Sequence, residues 1–133
     1  TTNGTKCIEM AKMAHQVVIG SFLNLEALIK HLKNSQRDVV LFCAGWKDRV
    51  NLEDSLFAGA VATVYPLRDC DDATLMARDA FELAKDNIYE TLQNSNHFKR
   101  LASKGVTKDI AYCCEVNVLK IVPVLKEGKL VVA

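Results

Sequence analysis

The chain has 133 residues, one domain's worth of material and long enough to bury a single sizeable core. Half of the residues are apolar and a quarter charged, and 17 basic against 16 acidic side chains leave a formal charge of +1. That balance excludes the electrostatic footprint of a nucleic-acid or anionic-membrane binder, and no apolar run approaches the length of a membrane span. The five cysteines show neither metal-ligand nor disulfide spacing, so reduced thiols in a cytoplasm are expected. The chain opens on Thr1 inside a turn sequence, which predicts that residues 1–133 are a single α/β domain forming the C-terminal part of a larger protein.

Thr1–Thr5 reads as a turn centred on Asn3-Gly4. Lys6 to Ala14 has Cys7, Ile8, Met10, Ala11 and Ala14 on one side of a 3.6-residue repeat, which predicts a short amphipathic helix. Gln16–Gly20 is a buried strand stopped by glycine. Leu23–Leu32 is helical, with Asn24 as its N-cap. Asp38–Cys43 is a continuous apolar run of strand length closed by Ala44-Gly45, and a helix rich in Ala and Leu follows from Asn51 to about Val64. Asp72 to about Leu92 reads as a longer helix broken near Asn87. His97–Lys104 is a short helix stopped by Gly105. Val118–Val124 and Lys129–Val132 around Glu127-Gly128 form a β-hairpin. Strands without polar alternation, interleaved with helices, point to an α/β fold: a mostly parallel sheet with helices on both faces and the C-terminal hairpin as an antiparallel edge.

In such a sheet, ligands bind where strand ends lead into helices. Asn3-Gly4-Thr5 has that position: helix N-terminal amides and the positive dipole end suit an anion, and the Thr2 and Thr5 hydroxyls can donate to phosphate-like oxygens. The same residues also serve as a plain turn and cap. The second turn runs from Cys43-Ala44-Gly45 to Asn51-Leu52-Glu53-Asp54. Glu53 and Asp54 are an adjacent carboxylate pair suited to a hard cation such as Mg²⁺, or simply acids favoured in a first helical turn behind a capping box. Cys43 to Arg49 also fits C-x₅-R, the spacing of cysteine-dependent phosphatases, although no His precedes Cys43 and the glycine stands one position early.

In this order the pieces resemble the 2-phosphosulfolactate phosphatase family, Mg²⁺-dependent enzymes of coenzyme M biosynthesis and their bacterial relatives. The matching stretches are Thr1-Thr2-Asn3-Gly4-Thr5, Ile19-Gly20-Ser21-Phe22-Leu23-Asn24, Cys43-Ala44-Gly45, Leu52-Glu53-Asp54, Ala58-Gly59, Ile110-Ala111-Tyr112-Cys113 and Val122-Pro123-Val124. The resemblance implies an α/β phosphatase hydrolysing the phosphate ester of a sulfonated 2-hydroxy acid. By position it implies that Thr2, Asn3, Gly4 and Thr5 bind substrate oxyanions, that Cys43, Ala44 and Gly45 shape the pocket floor, and that Glu53 and Asp54 bind or orient the metal and its water. Trp46 stands where the family usually has a small or hydroxyl residue, and beside the pocket it bears on substrate choice. The family's N-terminal half, with an Asp…Arg-Ala-Thr segment expected to add metal and phosphate ligands, is not matched by this sequence. The resemblance therefore implies a missing half or partner chain and little activity from the chain alone. A cysteine phosphatase using Cys43 and Arg49, and a non-catalytic anion-binding half-domain, are the alternatives, and a homo-oligomer stays open.

Other residues read as structural. His15, His31 and His97 have no mutual spacing and are expected in solvated or capping roles. Asp69-Cys70-Asp71-Asp72 is explained by an acidic helix start. Cys113 and Cys114 are expected to be buried, inert thiols.

Overall fold

The computed structural model describes residues 2–133, with only the backbone described at Thr2. Among the described residues the elements run α1 (Thr2–Ala11), α2 (Leu25–Ser35), α3 (Leu52–Ala62), α4 (Asp72–Ala84), α5 (Ile88–Gln93), α6 (Asn96–Ala102), α7 (Thr107–Cys113), β1 (Pro123–Lys126) and β2 (Lys129–Val132). Two short 3₁₀ turns, Phe22–Asn24 and Leu67–Asp69, complete the order.

The organising element is α3. After its acidic first turn its side chains are apolar or small all round, and a helix of that kind must be buried. Leu56 and Val61 are fully enclosed. Leu56 and Ala60 pack with Phe22, Ala84, Ile88 and Leu92, while Val61 packs with Leu28, Leu32, Val122 and Val124. One helix thus serves two adjoining clusters. Its small residues let α4 come close: a methyl group placed on Gly59 would sit 2.0 Å from the Ala77 carbonyl oxygen.

The helix boundaries follow local chemistry. Asn87 ends the α4 run and caps α5 by accepting from Glu90 N at 3.2 Å, so the helix expected from Asp72 to Leu92 is two helices. Ser95 caps α6 through Phe98 N at 3.0 Å, and Asp71 caps α4 through Thr74 N at 2.8 Å, as an acidic helix start requires. Helix α7 had no sequence signal of its own. Asn24 stands at the N-cap of α2 without a cap bond from its side chain. Buried, it accepts from Ser21 N at 2.8 Å and donates to the Ile19 and Ile121 carbonyls, tying the chain before α2 to the chain before β1. The amide of Glu26 in α2 is instead met by Asn117 Oδ1 at 2.7 Å.

The strands depart furthest from expectation. The parallel sheet does not form among the described residues; the pairing they show is antiparallel. β1 and β2 are joined by Glu127-Gly128, both with positive φ, the geometry of a two-residue hairpin turn. The first hairpin strand begins at Pro123 rather than Val118, because the chain before it is engaged elsewhere, with Leu119 N donating to Leu23 O at 2.7 Å. The segment 16–20 joins the other edge of β1 through a Val18–Val124 bridge. The run 38–43 forms no strand among the described residues. Val39 and Leu41 pack on the second cluster, whereas Val40 and Phe42 point out, 87% and 50% exposed. An apolar run on both faces predicts cover on both faces; here only one is covered.

Glycine in a helix interior ordinarily costs about 1 kcal/mol against alanine. At Gly59 the sign should reverse, because the added methyl meets a backbone carbonyl of α4. Gly59→Ala is expected to destabilise the fold by about 1–3 kcal/mol, read as a lower urea midpoint at constant m-value. Unchanged or increased stability would show that α3 and α4 can separate at little cost.

Candidate functional site

The N-terminal turn is a helix start. Thr2 to Thr5 form the first turn of α1, which begins earlier than the periodicity from Lys6 suggests. Thr1 and the side chain of Thr2 lie outside the described residues. Asn3 and Gly4 are half-buried and Thr5 is exposed.

The second turn meets the first at Gly45. Asn3 Nδ2 donates to the Gly45 carbonyl at 3.0 Å, and Gly45 N donates to Asp54 Oδ2 at 2.7 Å. Gly45 has φ +60°, and a methyl group there would lie 2.6 Å from the Arg49 carbonyl oxygen, so glycine is required twice over. Two further contacts tie α1 to the same loop: Cys7 Sγ to the Cys43 carbonyl at 3.7 Å and Lys6 Nζ to Asp48 Oδ1 at 2.8 Å. The first turns of α1 and α3, each at the positive end of its helix dipole, therefore converge on Cys43-Ala44-Gly45.

Beyond Gly45 the chain reverses. Trp46 and Arg49 exchange backbone hydrogen bonds at 3.0 and 3.1 Å, with Lys47 and Asp48 at positive φ between them. This closed two-residue turn fills the middle of the C-x₅-R spacing. Trp46 carries two cations against its ring, Lys47 Nζ at 4.5 Å and Arg100 Cζ at 4.7 Å.

Glu53 and Asp54 go separate ways, as neighbours about 100° apart on a helix must. Asp54 is committed to Gly45, while Glu53 Oε1 lies against Nδ1 of His97. Arg100 Nη2 lies 3.4 Å from His97 Nε2, and Asn51 Nδ2 lies 3.4 Å from its Nδ1, so His97 is held between Glu53, Arg100 and Asn51. His97 is thus drawn into the site rather than left solvated. Local spacing carries no signal for it, because α6 reaches α3 only through the tertiary fold. Burial raises the Glu53 carboxyl above the ordinary range, helped by Asp54 and opposed by its own backbone amide, His97 and Arg100.

The other Glu53 oxygen, Oε2, is buried and has no hydrogen-bond partner among the described residues. A buried, orphaned carboxylate oxygen is costly, and it suits a cation that takes one or two carboxylates and fills its shell from phosphate and water. Among the described residues, however, no three His, Cys, Asp or Glu side chains stand together as a metal cluster. Glu53 could offer one oxygen to such a cation, and the described residues do not supply the rest of a ligand set.

Two cavities flank α3. An open groove of about 970 Å³ runs over Asn3, Cys43, Gly45 and Arg49, and a smaller cavity of about 300 Å³ is lined by Gly20, Glu53, Asp54, His97 and Cys113. Cys113 is exposed rather than buried, yet its thiol is held up by partial burial and Asp109. All five cysteines are unpaired. No helix of the described residues is long and apolar enough to cross a membrane.

A model of the 2-phosphosulpholactate phosphatase family matches residues 1–128. The chain belongs to this family. It is 40% identical over 128 residues to a probable 2-phosphosulfolactate phosphatase of Thermotoga petrophila, covering 96% of this chain and 56% of that protein. A Caldanaerobacter subterraneus protein described in the same words is 33% identical over 131 residues, covering 96% and 54%. One from Clostridium acetobutylicum is 30% identical over 134 residues. The chain spans about half the length of these relatives. The stretches Thr1–Thr5, Cys43–Gly45 and Leu52–Asp54 all fall within the part matched to the 2-phosphosulpholactate phosphatase model.

In this family member the surroundings of Cys43 disfavour its thiolate. Its thiol is pushed up by burial first and then by Asp54 and Cys7, and Sγ points to the Asp54 carbonyl at 3.5 Å. A nucleophilic cysteine needs the opposite shift. Iodoacetamide labelling followed by peptide mass mapping is expected to show Cys43 alkylating slowly at neutral pH, its rate rising only above the range of an ordinary thiol. A labelling midpoint below neutrality would reinstate the thiolate.

Proposed function

We propose that this chain supplies one half of the pocket of an Mg²⁺-dependent phosphatase that hydrolyses the phosphate ester of 2-phosphosulfolactate or a similar phosphorylated 2-hydroxy acid. The observation that carries the reading is the meeting of two helix N-termini at Gly45, held between Asn3 and Asp54. Amides at helix starts bind phosphate without a further device. The family names the phosphate ester, and its members' printed descriptions supply the sulfonated substrate.

In this reading the first turn of α1, Thr2 to Thr5, faces substrate oxyanions, and Cys43, Ala44 and Gly45 form the floor on which they rest. Asp54 holds that floor by accepting from Gly45 N. Glu53 turns its orphaned Oε2 toward the metal position and is steered by His97 through Oε1. Mg²⁺ would neutralise charge developing on the transferred phosphoryl group. Trp46, with Lys47 and Arg100 on its ring, lines neither of the two cavities but follows Gly45 directly, and from there it would bear on substrate choice.

The Mg²⁺ dependence separates this reading from the thiolate one. With the remaining half of the fold supplied as a second polypeptide, phosphate release from 2-phosphosulfolactate is expected to need Mg²⁺ and to stop with EDTA. Glu53→Gln should then lower kcat/KM by about 100-fold or more, since it removes a charge acting in the transition state. Cys43→Ser should change it by less than about 10-fold. Loss of turnover in Cys43→Ser with indifference to EDTA would favour the cysteine phosphatase. Absence of release from an assembled pair would favour a non-catalytic anion-binding half-domain.

A further inference from the structure

We infer that the uncovered side of segment 38–43 is a docking groove for an extended strand from the part of the family fold that this chain does not span. The inference rests on family membership and not on the phosphatase reading. Segment 38–43 belongs to no helix or strand ladder among the described residues, and its alternation of packed Val39 and Leu41 with exposed Val40 and Phe42 is the pattern of an extended chain. An unpaired extended segment offers a row of backbone donors and acceptors that a second strand can satisfy. Its outward side chains, Val40 and Phe42, are apolar and exposed.

The groove walls agree. Met10 of α1 and Met76 of α4 line it at 63% and 69% exposed. None of the described side chains of α1 is buried, although its Cys7, Ile8, Met10 and Ala11 form an apolar face. Helix α1 is tied to the 43–48 loop by Asn3, Lys6 and Cys7; of its apolar side chains Met10 is left exposed in the groove, while Cys7, Ile8 and Ala11 are half-buried. Lys6 and Asp48 at the rim are paired with each other, and Lys47, Arg49, Asp69 and Asp71 also line the groove, so the occupant should be apolar where it meets Val40 and Phe42 and polar toward the rim. Single exposed apolar residues need no explanation, but Met10, Val40, Phe42 and Met76 gathered along one groove do.

The occupant follows from length. The Thermotoga petrophila relative is matched over 56% of its residues, which leaves nearly as much again without a counterpart here. A second copy of this chain would bring another uncovered 38–43 edge but none of that missing sequence.

The unmatched part of the Thermotoga petrophila relative, made as a separate polypeptide, is expected to form a 1:1 complex with this chain by sedimentation velocity. Amide exchange across 39–43 should slow in the complex. Val40→Asp with Phe42→Asp should weaken binding by about 10-fold or more. Leu83→Asp, on α4 and 91% exposed outside the groove, should leave it unchanged. All three side chains are exposed, and equal melting temperatures would show that the variants fold. The inference is overturned by no complex at tens of micromolar, by a complex that leaves 39–43 exchanging freely, by binding indifferent to the double variant, or by self-association of this chain through the same residues. A complex that releases no phosphate sinks the phosphatase reading and leaves this one standing.

Discussion

The backbone of Gly45 holds the candidate site together. Its carbonyl is taken by Asn3 from one helix start and its amide by Asp54 from another, so a single residue fixes two elements far apart in sequence. No side chain could stand there, since the positive φ and the nearby Arg49 carbonyl both exclude one. The price is paid by Asp54, whose carboxylate serves the loop and leaves Glu53 as the acid with an orphaned oxygen.

That division depends in turn on α3 being immovable. The helix is packed on both sides, against Phe22 and Ile88 on one and Leu28 and Val122 on the other. Its first turn is therefore presented at a fixed angle to the Cys43–Gly45 floor, and α6 brings His97 and Arg100 against it. The same burial raises the Glu53 carboxyl, as expected when a charge is partly removed from water before its partners are complete. Core and site are one construction: the close approach of α4 at Gly59 helps set where Glu53 points.

Helices were legible from the sequence where caps and periodicity coincide. The break expected near Asn87 is a real helix boundary, and Glu127-Gly128 marks the hairpin turn, whereas the Ser95 cap of α6 was not expected. Asn24 shows the limit: its residue type suits a cap, but its side chain bridges distant carbonyls. The two glycine-bearing segments were legible as a site, and the contact between them was not, because Asn3 and Gly45 meet only in three dimensions. His97 stayed hidden for the same reason. The adjacent acids read as a pair, since spacing cannot show that one would be drawn to a loop amide.

The parallel sheet is the most instructive departure. Asp38–Cys43 has the composition of a strand buried on both faces, and the inference of cover on both faces was sound physics. What the chain folds against that run covers Val39 and Leu41 and leaves Val40 and Phe42 in the open. Hydrophobic pattern reports the environment a segment is built for, and that environment includes whatever docks upon it. Here pattern and burial disagree at residues 38–43 and along α1, both of which line one groove. The disagreement is local and shared by two unconnected elements, so it points to one missing neighbour rather than to a misread strand. The floor of the proposed phosphate pocket opens into that same groove, so whatever completes the sheet also stands over Cys43 and Gly45. Glu53 faces the smaller cavity on the other flank of α3, so filling the groove would complete the wall over Cys43 and Gly45, and ligands lacking around Glu53 are to be sought on whatever enters that second cavity.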